Sequence, residues 1–503
     1  MAVRALGIST SEWVEATFTT LDDANVSTLE FSFAAEDIAL KGLTLTSLGK
    51  GALLGESTTL SWTPDSPLSL SSGTAKVPFT MDATSVVGGI VLTATLSDDR
   101  TVTRIVKPGA DVATPLGQTT SLSLGKWLPG GIATGEELLE LSYLVNQNLD
   151  SSRFEDASGF TTLLGDIDMS GIAWIPIGNA EAKPFKGKFD GKNHVIDKLN
   201  NVYDGTAMYM AGLFGVGNNG AVIKNIILGP GCVIDYTRAS GWVRQGAFLS
   251  FGQGTGANIV TLENLVNKGQ VIVRAKADGQ NMNIGGIVGQ TRGPVVNCRN
   301  EGKLTLISSQ ASAGASYNVG GVVGAIDGGI PTVSGLVNNG DIDIQSKPKV
   351  TVGGIIGSAQ STKASGLVNR GTIKVSANAR LGGLIGTIAI TSAKDPGSLT
   401  ASAQYGNILF SAGQGADIGL ILGTNNVGVG YYTYSNIKLS GTWGVDGGTT
   451  STIDSQESFN AQVQLEWNKT WKDEPEKMRL CNSSSATEAF YTELINATTF
   501  GKE

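Results

Sequence analysis

The sequence predicts an all-β protein, in which an N-terminal β-sandwich precedes a parallel β-helix (a β-solenoid) with helical end caps. Three observations predict this fold: strand-like alternation before residue 128, a recurring glycine box after it, and a repeated Asn-x-Gly segment between the boxes. Glycine supplies 68 of the 503 residues, about twice its usual share. It follows no strict three-residue period, which excludes collagen.

Charge and cysteine content exclude several classes of protein. The chain has 36 Lys and Arg against 44 Asp and Glu, a formal net charge of -8, and no basic block. Nucleic acid and anionic membrane surfaces are therefore not expected as partners. Cys232, Cys298 and Cys481 have neither the number of a disulfide framework nor the spacing of a zinc site.

Residues 1–127 contain alternating or apolar runs separated by turns, and no glycine box. Asp98 and Asp99 are suited to the turn of a hairpin between two of these runs. We predict six or more antiparallel strands forming a small β-sandwich. The runs are STLEFSF, KGLTLTSL, TTLSWT, GTAKVPFTM, GGIVLTATLSDDRTVTRIVK and TTSLSLGKW.

The glycine box occurs seven times, and successive copies begin 37, 37, 35, 33, 29 and 37 residues apart. Such variable spacing is typical of a solenoid whose coils differ in loop length. We expect the glycines to supply positive φ angles where one short strand turns into the next. The copies are MAGLFG (210–215), AFLSFG (247–252), IGGIVG (284–289), VGGVVG (319–324), VGGIIG (352–357), LGGLIG (381–386) and IGLILG (418–423).

A second repeated segment, Asn-x-Gly followed by alternating residues, occurs four times between 265 and 375. When the copies are stacked, their apolar residues form columns that should point inward. One mixed column should face solvent: Ile272, Thr305, Asp343 and Lys374. Cys298 stands in a column of leucines and is predicted to be a buried thiol. The asparagines tolerate left-handed turns and, when stacked, would form an amide ladder along the axis: Asn267, Asn300, Asn338 and Asn369. Each repeat should provide about three strands.

Open ends of a solenoid need covering. Thr134 to Glu137 form a capping box, and apolar residues at helical spacing follow it, so residues 134–148 are predicted to be a helix that plugs the N-terminal end. Phe459, Val463, Trp467 and Trp471 predict a second helix at the other end. The expected domains are a sandwich (1–127), a β-helix (128–450) and a C-terminal cap segment (451–503).

Several segments resemble known surface proteins of Bacteroides-type bacteria. DIDMSG (166–171), Trp174, FKGKFDGKNHVIDKL (185–199) and the AGLFG and IGGIVG boxes resemble the GLUG-motif repeat family over residues 134–445. KGLTLTS, KVPFTM and LSDDRTVTRIVK make residues 25–127 similar to fimbrillin-like domains. The resemblance implies an exported cell-surface or outer-membrane protein, a lipoprotein or fimbria-associated adhesin, without agreed catalytic residues. We expect any membrane attachment to use a lipid anchor that this chain does not carry.

Motifs that could indicate a cofactor or a metal have simpler interpretations. GVGNNG (215–220) fits a dinucleotide-binding pattern, but the alternating segment after it predicts a strand rather than the required helix. Asp166, Asp168 and Ser170 resemble the start of a calcium loop, yet Ile177 stands where the bidentate glutamate is needed. His194 is the only histidine and is expected in a surface turn. We therefore expect no cofactor, no metal and no catalytic residue.

The enzymatic alternative is a β-helical polysaccharide lyase or glycoside hydrolase. Hydrolysis needs two carboxylates across one bond, and elimination needs a base with a cation that neutralises a uronate. Asp190 and Asp197, the closest acidic pair of the first repeat, are expected to be structural. Two to four converging titratable side chains in a groove would favour the enzyme.

The densest aromatic group is the candidate for ligand stacking: Tyr431, Tyr432, Tyr434 and Trp443. The expected partner is a host or microbial glycan or a surface protein receptor, with fimbrial subunits as a further possibility. The function predicted from the sequence is thus a non-enzymatic adhesin or fimbria-associated protein. A purely structural stalk is a third interpretation.

Overall fold

The structure is a computed structural model that describes residues 23–127, 130–205, 210–238, 242–275, 281–308, 317–328, 331–360 and 362–389, and beyond these the strands as far as Ile453. It forms two compact units, residues 1–128 and 129–503. Both consist mainly of β-strands. Among the described residues, no helix is both long and apolar enough to cross a membrane.

In the first unit, every one of the six predicted runs contains a strand. Two larger sheets share one apolar core that includes Leu29, Phe31, Leu92 and Trp127. The three-stranded sheet has the order Thr119–Ser123, Ser27–Ser32, Lys76–Met81. The other has the order Thr59–Trp62, Ala39–Ser47, Ile90–Leu96, Thr101–Val106, with Leu68–Ser69 also on Ala39–Ser47, and Ser85–Val86 pairs with Val112–Ala113.

The pairing in this unit differs from the prediction at one place. Thr119–Ser123 lies parallel to Ser27–Ser32, whereas an entirely antiparallel arrangement was expected. The predicted hairpin is present: Ile90–Leu96 and Thr101–Val106 are antiparallel, and Asp99 adopts a φ of 66° in the turn between them. A parallel partner comes from far along the chain, so local alternation contains no sign of it.

The second unit is a stack of coils in which each strand pairs in parallel with its equivalent in the next coil. Four sheets run along the stack, and we name them by sequence. The asparagine sheet contains the Asn of each Asn-x-Gly, and the alternating sheet contains the alternating residues that come after it in the sequence. Glycine sheet 1 contains the strands that end in the glycine boxes, and glycine sheet 2 contains the strands that begin in them.

The asparagine sheet contains 14 strands and the other three contain seven, six and seven. The asparagine sheet comprises Phe160–Thr162, Ile167–Asp168, Lys188–Asp190, Val195–Asp197, Val222–Leu228, Thr261–Asn267, Val295–Val296, Arg299–Asn300, Thr332–Ser334, Val337–Asn338, Lys363–Ser365, Val368–Asn369, Ser398–Thr400 and Ala403–Gln404. The alternating sheet comprises Asn200–Gly205, Val233–Arg238, Gln270–Ala275, Leu304–Ser308, Ile342–Ser346, Ile373–Ser376 and Ile408–Phe410.

The two glycine sheets complete each coil. Glycine sheet 1 comprises Val243–Gln245, Met282–Gly285, Tyr317–Gly320, Val350–Gly353, Ala379–Gly382 and Asp417–Gly419. Glycine sheet 2 comprises Phe214–Gly217, Leu249–Gly252, Val288–Thr291, Val323–Ile326, Ile356–Gln360, Ile385–Ala389 and Leu422–Asn425. Each full coil therefore contributes to four sheets, whereas about three strands were predicted, because the glycine box is a bend between two strands. From Val295 onward the asparagine sheet also receives two short strands from each coil.

A helix, Gly135–Asn146, opens the second unit, as its capping box predicted. The hydroxyl of Thr134 accepts a hydrogen bond from the backbone N–H of Glu137 at 3.2 Å. Leu138 and Leu141 are fully buried and belong to the same apolar core as the coils. The helix thus places its apolar face against the first coil.

The second glycine box was assigned two residues too late from the sequence. In the structure, Leu249 pairs with Phe214 and Val288, and Gln245 pairs with Ile284, so the box is QGAFLS (245–250). Ser250 takes the place of the final glycine. The apolar segment AFLSFG (247–252) resembles the motif but begins two residues after the box.

In the boxes with a Gly-Gly pair, the glycines serve close contact between backbones rather than positive φ angles, whereas Gly212 of the first box has a φ of 121°. The Gly-Gly pairs that begin at Gly285, Gly320 and Gly353 do not have φ angles in the left-handed region, which contradicts the expectation from the sequence. Glycine sheets 1 and 2 approach each other so closely that a methyl group on Gly357 would lie 2.6 Å from the backbone nitrogen of Val319. No larger residue fits there without moving the backbone.

The predicted amide ladder is present in the core of the asparagine sheet. The Nδ2 atoms of Asn267, Asn300 and Asn338 donate to the Oδ1 atom of the asparagine in the next coil at 2.8, 2.9 and 2.8 Å. Each also donates to the carbonyl two residues ahead in its own coil. All are buried. The ladder satisfies polar groups that stacking would otherwise bury unpaired.

Left-handed residues occur three positions before the ladder, not at the ladder asparagines as expected. Asn225, Asn264 and Asn297 have φ angles of 55°, 52° and 52°, and Gly335 and Gly366 continue the column at 65° and 64°. Among the described residues, asparagine and glycine occupy this column, and both tolerate the left-handed region. The inward and outward columns are as predicted: Leu304, Ile342 and Ile373 are buried, and Lys374 is exposed.

We predict that Asn338→Ala destabilises the solenoid by roughly 2–4 kcal/mol, because buried amide partners on both sides lose hydrogen bonds. Urea unfolding of the full chain would measure the change. Asn339→Ala is the matched control: Asn339 is the exposed neighbour outside the ladder, and its replacement should change stability by less than about 0.5 kcal/mol. Equal losses in the two variants would contradict a stabilising ladder.

Gly357→Ala should destabilise the chain by at least about 2 kcal/mol, because the added methyl group forces glycine sheets 1 and 2 apart. At Gly165 a methyl group would have nothing within 4 Å and φ is not positive, so Gly165→Ala should be neutral or slightly stabilising. Thermal unfolding followed by circular dichroism compares them. Similar midpoints for the two alanine variants would show that the close approach is not required.

Candidate functional site

A column of polar residues runs along the edge of glycine sheet 2. Gly217, Gly252, Thr291, Ile326 and Ala359 occupy equivalent positions in successive coils or pair directly. The residue after each of them therefore falls in one line, with neighbours spaced about 4.8 Å apart along the axis. We call this line the polar column: Asn218, Gln253, Arg292, Asp327 and Gln360.

A cleft of about 480 Å³ opens beside the polar column. Arg292, Asp327 and Gln360 line one side, and the loop from Gly254 to Gly256 lines another. Gln360 Oε1 accepts a hydrogen bond from the backbone N–H of Gly328 at 2.9 Å, which fixes this side of the cleft. The charged groups of the cleft therefore come from neighbouring coils.

Behind the column, Gln290 is held in one orientation. Its Oε1 accepts hydrogen bonds from Arg244 Nε at 2.5 Å and from Asn283 Nδ2 at 3.0 Å. Its Nε2 donates to Asp327 Oδ2. Asn318 Nδ2 in turn donates to Asn283 Oδ1 at 2.8 Å. Among the described residues, Oδ1 of Asp327 accepts no side-chain hydrogen bond, so this oxygen can meet a ligand.

Arg244 is fixed by four neighbours. Its guanidinium carbon lies 3.9 Å from the ring centroid of Phe251 and 5.2 Å from that of Trp242. Its Nη1 donates to Glu181 Oε1 at 2.8 Å. A planar cation stacked on aromatic rings loses little freedom when it donates hydrogen bonds. Arg244 thus supports Gln290 rather than being available to a ligand.

Asp327 is a half-buried carboxyl group whose proton affinity is changed by its surroundings. Burial raises the pKa of Asp327 above its ordinary value, and the positive charges of Arg292 and Arg244 and the hydrogen bond from Gln290 oppose this only in part. A carboxyl group with a raised pKa retains its proton at a higher pH and can then donate a hydrogen bond. Such groups are typical of acid–base sites.

Arg292 is the cation of the cleft that is free to bind. It is partly exposed, and within the part of the chain that the structure describes it forms no ion pair and no side-chain hydrogen bond. The guanidinium presents a planar fork of donors that matches a carboxylate. Arg292 and Asp327 together can therefore hold a carboxylate and exchange a proton beside it.

The residues proposed from the sequence have different outcomes. Tyr431, Tyr432 and Tyr434 and the predicted C-terminal helix lie outside the described residues, as does the side chain of Trp443. His194 lies at the surface with Nδ1 3.3 Å from Asp166 Oδ1. This pair resembles two members of a catalytic triad, but across the described ranges no hydroxyl or thiol is hydrogen-bonded to the imidazole.

The acidic residues of the first coils have structural partners. Asp190 accepts from Asn225 Nδ2 at 2.9 Å, and Asp197 accepts from the backbone N–H of Gly231 at 2.8 Å. Asp168 pairs with Lys198 at 2.8 Å instead of forming a calcium loop. Within the described ranges, no group of three or more His, Cys, Asp or Glu side chains could hold a metal ion.

The two described cysteines are buried thiols, as predicted for Cys298. Burial raises the pKa of Cys298 to about 12 and that of Cys232 to about 11. Neither forms a disulfide. A thiol with so high a pKa is a poor nucleophile at neutral pH.

The sequence contains a signal for the polar column that we did not use. Each of its residues stands three positions after the last residue of a glycine box: Asn218 after Gly215, Gln253 after Ser250, Arg292 after Gly289, Asp327 after Gly324 and Gln360 after Gly357. The sequence prediction used only the columns of the Asn-x-Gly segments. It also placed the second box two residues too late, so Gln253 did not align with the other members of the polar column.

Comparisons with known proteins give a likeness to two solved structures. One is a proposed immunoglobulin A1 protease from Bacteroides ovatus, with a TM-score of 0.36 and 17% identity over 68% of this chain and 88% of that one. The other is named IgA1 protease, with a TM-score of 0.34 and 12% identity over 84% of this chain and 31% of that one. No family model matches the chain. No curated protein matches it either.

These names correct one expectation. Both structures are named as proteases, which contradicts the predicted non-enzymatic adhesin, and the expectation that the chain is not an enzyme is likewise withdrawn. The prediction rested on the outward column of the alternating sheet, where acids are scattered. Titratable groups instead converge on glycine sheet 2, beyond the columns that were compared.

We predict that Asp327→Asn raises the unfolding temperature near neutral pH. The folded pKa of Asp327 lies above the unfolded one, so the wild type loses stability as pH rises through that interval. The amide removes this loss, and the advantage should vanish below about pH 4. Thermal unfolding across this pH range measures it.

Asp168→Asn is the control of opposite sign. Its hydrogen bonds with Lys198 and Ser170 hold the pKa of Asp168 well below its usual range, so its contribution to stability is present at neutral pH and is lost in acid. Asp168→Asn should therefore lower the unfolding temperature at neutral pH. An Asp327→Asn variant less stable than the wild type at neutral pH would contradict the assigned environment.

Proposed function

We propose that this chain acts on an acidic polymer outside the cell, with Arg292 binding a substrate carboxylate and Asp327 exchanging a proton with the bound polymer. One observation carries the proposal: a guanidinium and a half-buried carboxyl group from neighbouring coils line the same cleft of about 480 Å³. Among the residues that the structure describes, neither of them forms an ion pair.

The shape of the site supports an extended ligand. The polar column follows the axis of the coils, so its side chains are repeated at the strand spacing of about 4.8 Å. A polymer lying along it would meet Gln253, Arg292, Asp327 and Gln360 in turn. A compact metabolite would use only one or two of them.

The acid–base role of Asp327 follows from its fixed orientation. Gln290 donates to Oδ2, which leaves Oδ1 to carry the proton towards the cleft. A carboxyl group with a raised pKa donates its proton near neutral pH better than an ordinary aspartic acid. Gln290 is then a positioning residue, because it touches Asp327 and not the ligand.

The rest of the chain has supporting roles in this proposal. The helix Gly135–Asn146 covers the first coil as an N-terminal cap, and residues 1–127 form a fimbrillin-like sandwich that links the solenoid to the cell surface. The protein is exported. In this proposal the glycan that was expected as a binding partner is the substrate.

The test is to incubate the full chain with polygalacturonate, polyglutamate and the neutral polymer dextran, and to measure retained polymer and new chain ends. We expect retention of at least one carboxylate polymer and not of dextran. Arg292→Gln should weaken that binding by about tenfold or more. A neutral Asp327 donates a hydrogen bond to a substrate carboxylate, whereas an ionised Asp327 repels it. Binding should therefore weaken as pH rises. Asp327→Asn should abolish this pH dependence and any cleavage.

Arg299→Gln is the matched control, because Arg299 is a partly exposed arginine on the asparagine sheet that pairs with Glu301 at 2.7 Å. Its replacement should leave binding unchanged. Equal losses for Arg292→Gln and Arg299→Gln would indicate nonspecific attraction by surface charge. Cleavage of immunoglobulin A1 that persists in Asp327→Asn would place the active centre elsewhere.

A further inference from the structure

An exposed aromatic ring is connected to the site through two intervening side chains. Trp242 is 49% exposed, although large apolar side chains in this unit are mostly buried. One face of its indole is near Arg244, whose guanidinium carbon lies 5.2 Å from the ring centroid. Arg244 contacts Gln290, and Gln290 contacts Asp327. A continuous chain of side-chain contacts therefore connects the indole to the polar column.

Among the described residues, Arg244 has supports other than the Trp242 indole. Phe251 already covers the guanidinium of Arg244 at 3.9 Å and is itself buried. Arg244 is also held by Glu181 and Gln290. The other face of Trp242 is thus an apolar surface presented to solvent on a rigid support, which is the arrangement of a stacking platform.

The strands that carry the cleft cannot bind a polypeptide through their backbones. Val288–Thr291 pairs with strands on both sides, and so does Val323–Ile326. Addition of a peptide strand requires an unpaired strand edge. A polypeptide therefore cannot bind beside Arg292 and Asp327 by adding a strand to this sheet.

We propose that the acidic polymer is a uronate-containing polysaccharide, with one sugar ring stacked on Trp242 and a uronate carboxylate bound by Arg292. This rests on the proposed function and names its substrate class. The apolar C–H face of a pyranose ring matches the flat indole, and the carboxylate on the ring matches the guanidinium fork. Gln253 and Gln360 supply donors and acceptors for hydroxyl groups along the same line.

An acidic polypeptide is the competing ligand, and the structure offers it less. Its carboxylates would match Arg292, but its backbone amides would find no strand edge at the cleft. A glutamate side chain also has no broad apolar face for Trp242. Stacking on the indole therefore distinguishes the two polymers.

The test is calorimetric titration of the full chain with oligogalacturonate, with the neutral oligosaccharide of the same linkage, and with oligoglutamate. We expect binding of oligogalacturonate, which Trp242→Ala weakens about tenfold through loss of stacking. Trp242→Phe retains an aromatic face and should restore most of the affinity. Arg292→Gln should remove the preference for the acidic over the neutral sugar.

The outcomes separate the two proposals. Oligoglutamate binding that depends on Arg292 but not on Trp242 would overturn the substrate class and leave the carboxylate site standing. If Arg292→Gln changed the affinity for none of the three ligands, the proposed function itself would be overturned. Equal affinities of the wild type and Trp242→Ala for oligogalacturonate would also refute the stacking platform. Circular dichroism of each variant excludes misfolding as the cause of a loss.

Discussion

Stacking of the coils in register is the constraint on which the second unit depends. Every strand pairs with its equivalent in the neighbouring coil, so each sequence position becomes a column of contacts along the axis. A column of apolar residues fills the core, and a column of glycines permits two sheets to meet. A buried polar residue can persist only where the residue above and below satisfies it, and the asparagine ladder meets that condition.

The same constraint creates the candidate site. A position at the end of glycine sheet 2 recurs in successive coils, and from Asn218 to Gln360 it carries a polar side chain without any special loop, whereas Ala389 follows in the next coil. Arg292 and Asp327 are neighbours in this line, and among the described residues neither forms an ion pair. The amides behind them are fully engaged, so the site is preorganised by the scaffold rather than by the ligand.

Much of the fold could be predicted from the sequence, because alternation and repetition report local and periodic contacts. The inward columns, the ladder of Asn267, Asn300, Asn338 and Asn369, and the helix after Thr134 all followed from such patterns. The bend inside the glycine box did not, since a glycine that permits close contact looks the same as one that permits a positive φ. The parallel pairing of Thr119–Ser123 was missed because it joins distant segments.

The candidate site was harder to predict than the fold. Its residues differ in type from coil to coil, so the polar column has no motif, and only correct alignment of the boxes reveals it. The environment of Asp327 depends on Gln290 and Arg244, which come from other coils. An acidic residue in a sequence gives no indication of its burial, and this is what raises the pKa of Asp327.

The most direct measurement is a crystal structure of the full chain with bound oligogalacturonate. A uronate carboxylate should lie against the guanidinium of Arg292 and within hydrogen-bond distance of Oδ1 of Asp327, with a neighbouring ring on Trp242. An oligosaccharide bound on another sheet, with Arg292 and Asp327 untouched, would contradict the assignment of the polar column as the substrate site.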